Sequence, residues 1–552
     1  MSFFRCISVV IASALTISCC SCADMNENAP RISRYRDREK EYEIGQSESD
    51  DNAEETTESD EEMLDSVELV VKHFIDYLAK LENKEKIQEN IDHLLNMLDA
   101  IYESRTLASV DFYSDYLNSE IKDAYQSTEH IYSVADDLVS YAFYCGTQSQ
   151  YSELFTDIIT PEAAELYSGG YYDLETARAE AESAYYDSAE DKNRYYDIIA
   201  DDTISANEKD LKCAEILIDM LSDETPETFY DSFYRDYTGE DILGLKDTII
   251  SEVLPTYFDL QEASYKIENH IHYENEVLNK APFEVIQSYA KYLSPEISKS
   301  ADRLINDELF RICNGQKALD ISFTDDLPTQ NSAFIFIGQK STDDIFMTAV
   351  HEFGHFHASF FDNTHAYLMK NNYDIAEIQS HGMEMLFTQF FDEIYGEEGS
   401  QNGEYKRLKT LVNMCYYILS AFYIGSFEYE LVSRIGDITP EEVVKLFNRN
   451  FNDYSIGYHL SEISHLYECP GYYISYATSA LTSLQLFFDL IKDKNKAVEK
   501  YERIAKISCY SGEYTFREAL EECSFEDVLN KEYINKISQK MREYADELTS
   551  KI

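Results

Sequence analysis

The chain has 552 residues, with 46 Lys and Arg against 105 Asp and Glu, a formal charge of −59. A field of that sign excludes a protein that neutralises nucleic-acid phosphates or rests on an anionic membrane surface. Hydrophobic residues at 44% supply a large core, which excludes a disordered chain, and only 18 Gly and 9 Pro leave turns scarce, which argues against an all-β fold and favours long helices.

The first predicted element is a targeting segment, residues 1–22. Arg5 precedes a mostly apolar run from Cys6 to Ser18, shorter than the roughly 20 residues of a spanning helix, and the run ends in Leu15-Thr16-Ile17-Ser18-Cys19-Cys20-Ser21-Cys22. This is the pattern of a secretory leader. The small residues ahead of a cysteine resemble the lipobox of bacterial lipoproteins, with Cys19 or Cys20 as the lipidated residue, and an ordinary cleaved leader is the alternative. The reading predicts an exported protein, lipid-anchored outside a bacterial cytoplasmic membrane or secreted, that meets the membrane through an N-terminal lipid alone. Residues 23–62 are polar. A basic patch (Arg31, Arg34, Arg36, Arg38, Lys40) is followed by nine acids and no base from Glu48 to Glu62. Such a stretch buries too little apolar area to offset its ordering entropy and is read as a disordered tether. The seven cysteines beyond the leader are an odd number, widely spaced and without a CxxC, which argues against a disulfide framework and a thiolate zinc site.

From Met63 to the C-terminus the helical period dominates, predicting one mainly α body over residues 63–552. Val67, Val70, Val71, Phe74, Ile75 and Leu78 recur at i, i+3 and i+4, as do Ile91, Leu94, Leu95, Leu98 and Ile101. Similar stretches cover Ile121–Tyr144, Ala206–Leu221, Ile242–Ile271, Phe283–Ile305, Leu408–Ile435 and Glu441–Phe447, with breaks or kinks expected at Pro255 and Pro295. Leu319–Phe323 and Ser332–Gly338 are β-rich instead and predict a small sheet, with a loop over Thr324–Asn331 between them.

The next helix is predicted to start at Ser341-Thr342-Asp343-Asp344, a capping-box pattern with acids at the positive helix end. It carries His351-Glu352-Phe353-Gly354-His355. Residues four apart share a helix face, so the two imidazoles can hold one cation, and Glu352, about 100° round, can take a proton from water. The flanking Ala349, Val350 and Phe356 make this an apolar helix, in which unpartnered polar groups would be costly. A hydrolytic zinc site needs a third donor. Asp374 to Glu384 reads as a second helix in which Glu377 and Glu384, seven apart, share a face. One of them can bind metal while the other hydrogen-bonds a ligating histidine.

HEFGH at 351–355 followed by Glu377, Ser380 and Glu384 in an E-x-x-S-x-x-x-E pattern resembles the thimet oligopeptidase and oligoendopeptidase F family of zinc metallopeptidases. The resemblance runs from Ser332 to Ser479 and takes in His465 and the stretch Tyr472-Tyr473-Ile474-Ser475-Tyr476. It implies a bowl-like helical zincin body with a small sheet beside an active-site channel, and a catalytic core at about residues 319–480. It also implies one Zn²⁺ per chain held by His351, His355 and Glu377, with Glu384 behind a histidine and Glu352 as the base. Tyr473 and Tyr476, at i and i+3 on one helix, become oxyanion donors with His465 assisting. The strand at Ala333, Phe334, Ile335 and Phe336 could offer its edge to an extended substrate. His357 lies two residues past the second motif histidine, where the family often has a histidine at three, and is read as a satisfied histidine. His365, His381 and His459 are read as polar residues near a charged site. The implied activity is hydrolysis of internal bonds in short unstructured peptides. A lipid-anchored peptide-binding scaffold and a zincin acting on larger proteins are the alternatives.

Overall fold

The computed structural model describes residues 60–551, apart from 81–82, 170–171, 202, 231–232, 272–280, 315–316, 320, 340–344, 397–400 and 453–458. The leader, the tether up to residue 59 and the Ser341–Asp344 capping box lie outside the described residues. The last acids assigned to the tether are helical. Asp60, Glu61 and Glu62 form the first turn of α1 (Asp60–Leu78), where their charge complements the positive helix end.

The fold is mainly α. After α1 come α2 (Lys84–Ser114), α3 (Ser119–Thr147), α4 (Pro161–Ser168), α5 (Leu174–Ala200), α6 (Ala206–Met220) and α7 (Gly239–Thr248). A π-helical segment, Ile249–Val253, leads into α8 (Leu254–Ile271), so the wide turn takes up the expected disturbance at Pro255 without ending the helical path. At Pro295 the chain does break: α9 (Pro282–Ala290) ends, and Ser294 caps α10 (Pro295–Asn306) by accepting from the Ile297 N–H at 3.0 Å.

Three strands follow, β1 (Phe310–Asn314), β2 (Ser322–Leu327) and β3 (Ser332–Gln339), in the order β1-β3-β2. β1 was not expected from the sequence, and β2 occupies part of the predicted loop. The remaining elements are α11 (Phe346–Ser359), α12 (Tyr373–Phe387), α13 (Phe391–Tyr395), α14 (Asn402–Val432), α15 (Pro440–Asn452), α16 (His465–Glu468), α17 (Ser475–Lys492), α18 (Lys494–Ala505), α19 (Phe516–Glu522) and α20 (Lys531–Thr549).

The main core gathers around α12, α14 and α17. By length and composition α14 could cross a membrane, yet 83% of its apolar window is buried inside the body, against α8, α13 and α17. A separate core, with Val71, Phe74, Ile91, Leu98, Leu138 and Phe143, joins α1 to α3. This N-terminal layer grips the sheet through α2. Tyr102 donates to Asp325 Oδ1 at 2.7 Å, Arg105 to Asp325 Oδ2 at 3.2 Å, and Thr106 to the Asp326 carbonyl at 3.2 Å. Cys145, Cys213, Cys313, Cys415, Cys509 and Cys523 are free thiols.

Candidate metal centre

α11 and α12 cross beside the sheet, and the crossing is close because Gly354 has no side chain. A Cβ there would lie 2.6 Å from the Gln379 carbonyl oxygen and 2.6 Å from Ser380 Cα. The approach brings Glu377 under the two motif histidines, whose rings stand 5.1 Å apart at 78°. Glu377 Oε2 is 3.4 Å from His351 Nε2, and Glu377 Oε1 is 3.9 Å from His355 Nε2.

These spacings can be tested against a metal. Two ligands at about 2.0–2.1 Å from a tetrahedral ion lie about 3.4 Å from each other. The donor atoms of His351, His355 and Glu377 all fall within 4.8 Å of one another, so two imidazoles and a carboxylate have the chemistry and the spacing of a three-ligand zinc site. His351 Nδ1 donates to Glu384 Oε1 at 2.8 Å, which fixes the ring so that Nε2 faces Glu377. A second convergence, His351, His381 and Glu384, shares that imidazole. His381 Nδ1 pairs with Ser479 Oγ at 2.9 Å, its Nε2 is 3.9 Å from Glu384, and its ring stacks on Tyr417 at 5.2 Å. This group orients His351 and is not an independent site.

The electrostatics suit the same assignment. Burial pushes His355 down to about 4, leaving a neutral imidazole with a free lone pair. Burial also disfavours charge on His351, but the hydrogen bonds and charges of Glu377 and Glu384 prevail and raise it, so positive charge is favoured at this spot. For Glu377, burial is outweighed by its contact with His351 and by the neighbouring imidazoles, and the carboxyl is held well below its usual range. Glu384 is raised by burial, opposed by His351. Glu352 is not among the converging donors. It is buried, and its Oε2 accepts from Thr324 Oγ1 at 2.7 Å. Desolvation lifts its carboxyl to about 7 against the opposing effects of His351 and Thr324.

An aromatic wall closes one side. Cys469-Pro470-Gly471 makes a turn, Gly471 with φ +85°, ahead of α17. Tyr472 donates its hydroxyl to Glu377 Oε1. Tyr476 packs against Tyr472 at 5.2 Å and Tyr473 at 5.4 Å. His465 stacks on Tyr472 at 5.1 Å and meets Tyr473 edge-on at 5.7 Å. Burial raises the phenols of Tyr472 and Tyr476 and lowers His465, so the tyrosines stay protonated and the imidazole neutral. One expectation changes here: Tyr473 lies in the turn before α17 and not on the helix that carries Tyr476, although the two rings stay in contact. The phenol that reaches Glu377 is that of Tyr472. Sequence reasoning passed over Tyr472 and Thr324. Tyr472 stood inside the quoted motif but was lost among 45 tyrosines; Thr324 carried no signal, having been read as loop.

The expected substrate edge at Ala333, Phe334, Ile335 and Phe336 is corrected. β3 is the central strand. β2 pairs with it from Ser332 to Ile337 and β1 from Ile335 to Gln339, so Ile335 and Phe336 are flanked by strands on both sides, Ala333 and Phe334 are paired with β2 alone, and β1 and β2 are the edge strands. The other histidines stand apart from the donors. His357 is buried with Nδ1 on Ser300 Oγ at 2.8 Å, His365 pairs with Asp99 at 2.6 Å and His459 with Asp210 at 2.8 Å.

No family model and no curated protein matches this sequence. Solved structures do match. PZ peptidase A with an inhibitor is 12% identical, over 88% of this chain and 97% of that chain, with a TM-score of 0.66. A Bacillus anthracis chain provisionally named oligoendopeptidase F is 13% identical, over 88% and 96%, with a TM-score of 0.63. The oligoendopeptidase F of Enterococcus faecium is 14% identical, over 89% and 99%, with a TM-score of 0.51. The chain therefore has the mainly α fold of these peptidases across nearly their whole length.

Proposed function

We propose that the chain is a zinc-dependent endopeptidase of the oligoendopeptidase F and thimet oligopeptidase type, cutting internal bonds of short unstructured peptides. The observation that carries this reading is the convergence of His351, His355 and Glu377 at the spacing of a tetrahedral site, beside a buried glutamate that is not one of the donors. A binding scaffold has no use for Glu352 held at that place. The fold likeness over most of the chain supports the peptidase class.

One zinc ion bound there would supply Lewis acidity, polarising a peptide carbonyl and making water a stronger acid near neutral pH. The chain's own residues do the remaining work. Glu352 accepts a proton from the attacking water and returns it to the leaving amine, and a carboxyl near 7 is well matched to both transfers. Glu384 fixes the tautomer of His351 through Nδ1. The protonated phenol of Tyr476, packed beside Tyr472, donates to the developing oxyanion. The neutral ring of His465 supports both tyrosines from the turn side. The substrate backbone is assigned to β2 in place of β3. The Gly338 N–H bonds the Ile321 carbonyl on the β3 side, and the Asp326 carbonyl takes Thr106 from outside the sheet. By the two-residue alternation of a strand, Ser322 and Thr324 turn their main-chain groups to the free edge.

The purified body should contain one zinc per chain and cleave unstructured peptides of about 5 to 20 residues while sparing folded proteins. Elemental analysis and mass spectrometry of a digested peptide ladder read both. Absence of zinc, or an intact ladder with zinc present, overturns the proposal in favour of a scaffold. Rapid digestion of a folded protein overturns the peptide restriction. Export with lipid on Cys19 or Cys20 belongs to the same reading, and mass spectrometry of the native N-terminus tests it. An unmodified start beyond Cys22 rejects the lipid.

A further inference from the structure

The turn that carries the tyrosines is held to the Glu377 helix by one buried guanidinium. Arg235 lies in the segment between α6 and α7, remote in sequence from both elements, with its side chain wholly buried and its guanidinium 4.6 Å from the Phe233 ring and 5.0 Å from that of Tyr230. Its three nitrogens point three ways. Nε donates to Asp374 Oδ2 at 2.7 Å, in the first turn of α12 and one helical turn ahead of Glu377. Nη1 donates to the Gly471 carbonyl at 2.8 Å. Nη2 donates to Ser475 Oγ at 2.7 Å, the first residue of α17. The other oxygen of Asp374 accepts from Tyr237 at 2.8 Å and from Thr478 of α17. The Gly471 N–H is held as well, by Glu428 Oε1 at 2.6 Å.

A buried cation and anion justify their desolvation only with close geometry and full hydrogen bonding, and here each partner is bonded to both the donor helix and the tyrosine segment. Gly471 and Ser475 bracket Tyr472 and Tyr473, and Tyr476 follows at once. Tyr472 bonds this segment to the donor set through Glu377. We infer that Arg235 is a positioning residue. It sets the tyrosine turn against α12, so that Tyr472 orients the Glu377 carboxylate and Tyr476 stands at the site of oxyanion charge. The inference rests on the proposed zinc peptidase function and adds a residue distant in sequence to the site.

The test is Arg235→Lys in the full body. Lysine keeps the charge opposite Asp374, but an ammonium point charge cannot span three acceptors set by a planar fork. Zinc affinity, measured by competition with a chromophoric chelator, should fall about tenfold, the size expected when a group that orients a ligand is disturbed. With saturating zinc, kcat should fall about 10- to 100-fold with KM changed less than about threefold. Tyr472→Phe should lower zinc affinity in the same way, and the double variant should be no weaker than about twofold below the weaker single one, because both substitutions loosen one contact. A product of the two single effects, or wild-type zinc affinity and kcat in a variant that merely melts earlier, overturns the inference. If Arg235→Lys does not fold, Ser475→Ala removes one arm of the fork and keeps the ion pair. Its effects should be smaller and equally non-additive with Tyr472→Phe, and additivity there overturns the inference too. Failure of the function reading is distinct, since the wild type would then bind no zinc or turn over no peptide.

Discussion

Gly354 should set the zinc affinity, although it touches neither metal nor substrate. The atoms a Cβ would meet at 2.6 Å, the Gln379 carbonyl oxygen and Ser380 Cα, are backbone of α12 and cannot rotate away. Restoring an ordinary contact near 3.4 Å requires α12 to retreat from α11 by roughly 0.8 Å. Glu377 lies two residues before Gln379 on the same helix. The separations of 3.4 and 3.9 Å from its oxygens to the two imidazoles would therefore open beyond 4 Å for both. An ion with bonds of about 2.0–2.1 Å cannot then reach all three donors at tetrahedral angles. Gly354→Ala is expected to weaken zinc binding about 10- to 100-fold, comparable to losing a group that orients a ligand, and to destabilise the metal-free protein by about 1–3 kcal/mol, the usual cost of overpacking. Gly146→Ala separates the two effects. Its Cβ would meet the Phe155 ring at 2.6 Å in the N-terminal core, so it should cost comparable stability and leave zinc affinity unchanged. Chelator competition and denaturant unfolding of both apo variants read the two quantities. Wild-type zinc affinity in Gly354→Ala, or an equal loss in Gly146→Ala, would refute the argument that helix spacing builds the site.

Glu352→Gln should keep one zinc per chain and lower turnover by about 10²- to 10⁴-fold, the range for removing a positioned base; a loss of zinc equal to the loss of turnover would make Glu352 a ligand instead. The base must be ionised to accept a proton, so kcat/KM should rise with pH as Glu352 deprotonates, below about 7 because the bound cation favours the carboxylate further. Thr324→Val removes a hydrogen bond that holds the charged form, and the acid limb of the pH profile should move to higher pH; an unmoved limb rejects the contact as functional. Glu428 is buried and raised to about 7, chiefly by desolvation, against about 4.3 unfolded. The folded state thus binds the extra proton, and stability falls as pH rises through that window, by about 4 kcal/mol in all. Glu428→Gln should melt higher than wild type at pH 8, with the gap closing toward pH 5. Finally, with a net charge of −59, kcat/KM for a Lys-rich peptide should fall at least about tenfold as added salt shortens the Debye length from about 10 to about 3 Å; an acidic peptide of equal length should not show that loss.

The parts of the molecule legible in the sequence are those in which one element determines its own geometry. The period of 3.6 placed His351 and His355 on one face and Glu377 with Glu384 on another whatever packs around them, and the break at Pro295 follows from a missing N–H and a ring clash within one residue. What escaped depends on contacts between elements. β1, Phe310-Arg311-Ile312-Cys313-Asn314, is short and becomes a strand by parallel pairing with β3, a partner some 25 residues away. Strand order is likewise absent from any local pattern. Ser332–Gly338 reads as a strand, yet nothing within it says that both its neighbours are strands, and the sheet edges fall to β1 and β2.

The tyrosines follow the same rule. Counting i and i+3 along an assumed helix selected Tyr473 with Tyr476, but Gly471 at φ +85° turns the chain before α17 begins, and the phenol delivered to Glu377 is Tyr472. That turn owes its position to Arg235 and Glu428, both more than 40 residues away in sequence and both fully desolvated. The metal donors are written into two helices, whereas the groups that orient them are supplied by wherever the rest of the fold happens to touch those helices. In solved structures that share this fold at 12–14% identity, the spacing of two histidines and a glutamate on two crossing helices is therefore expected to be kept, and the groups that orient them to come from different positions.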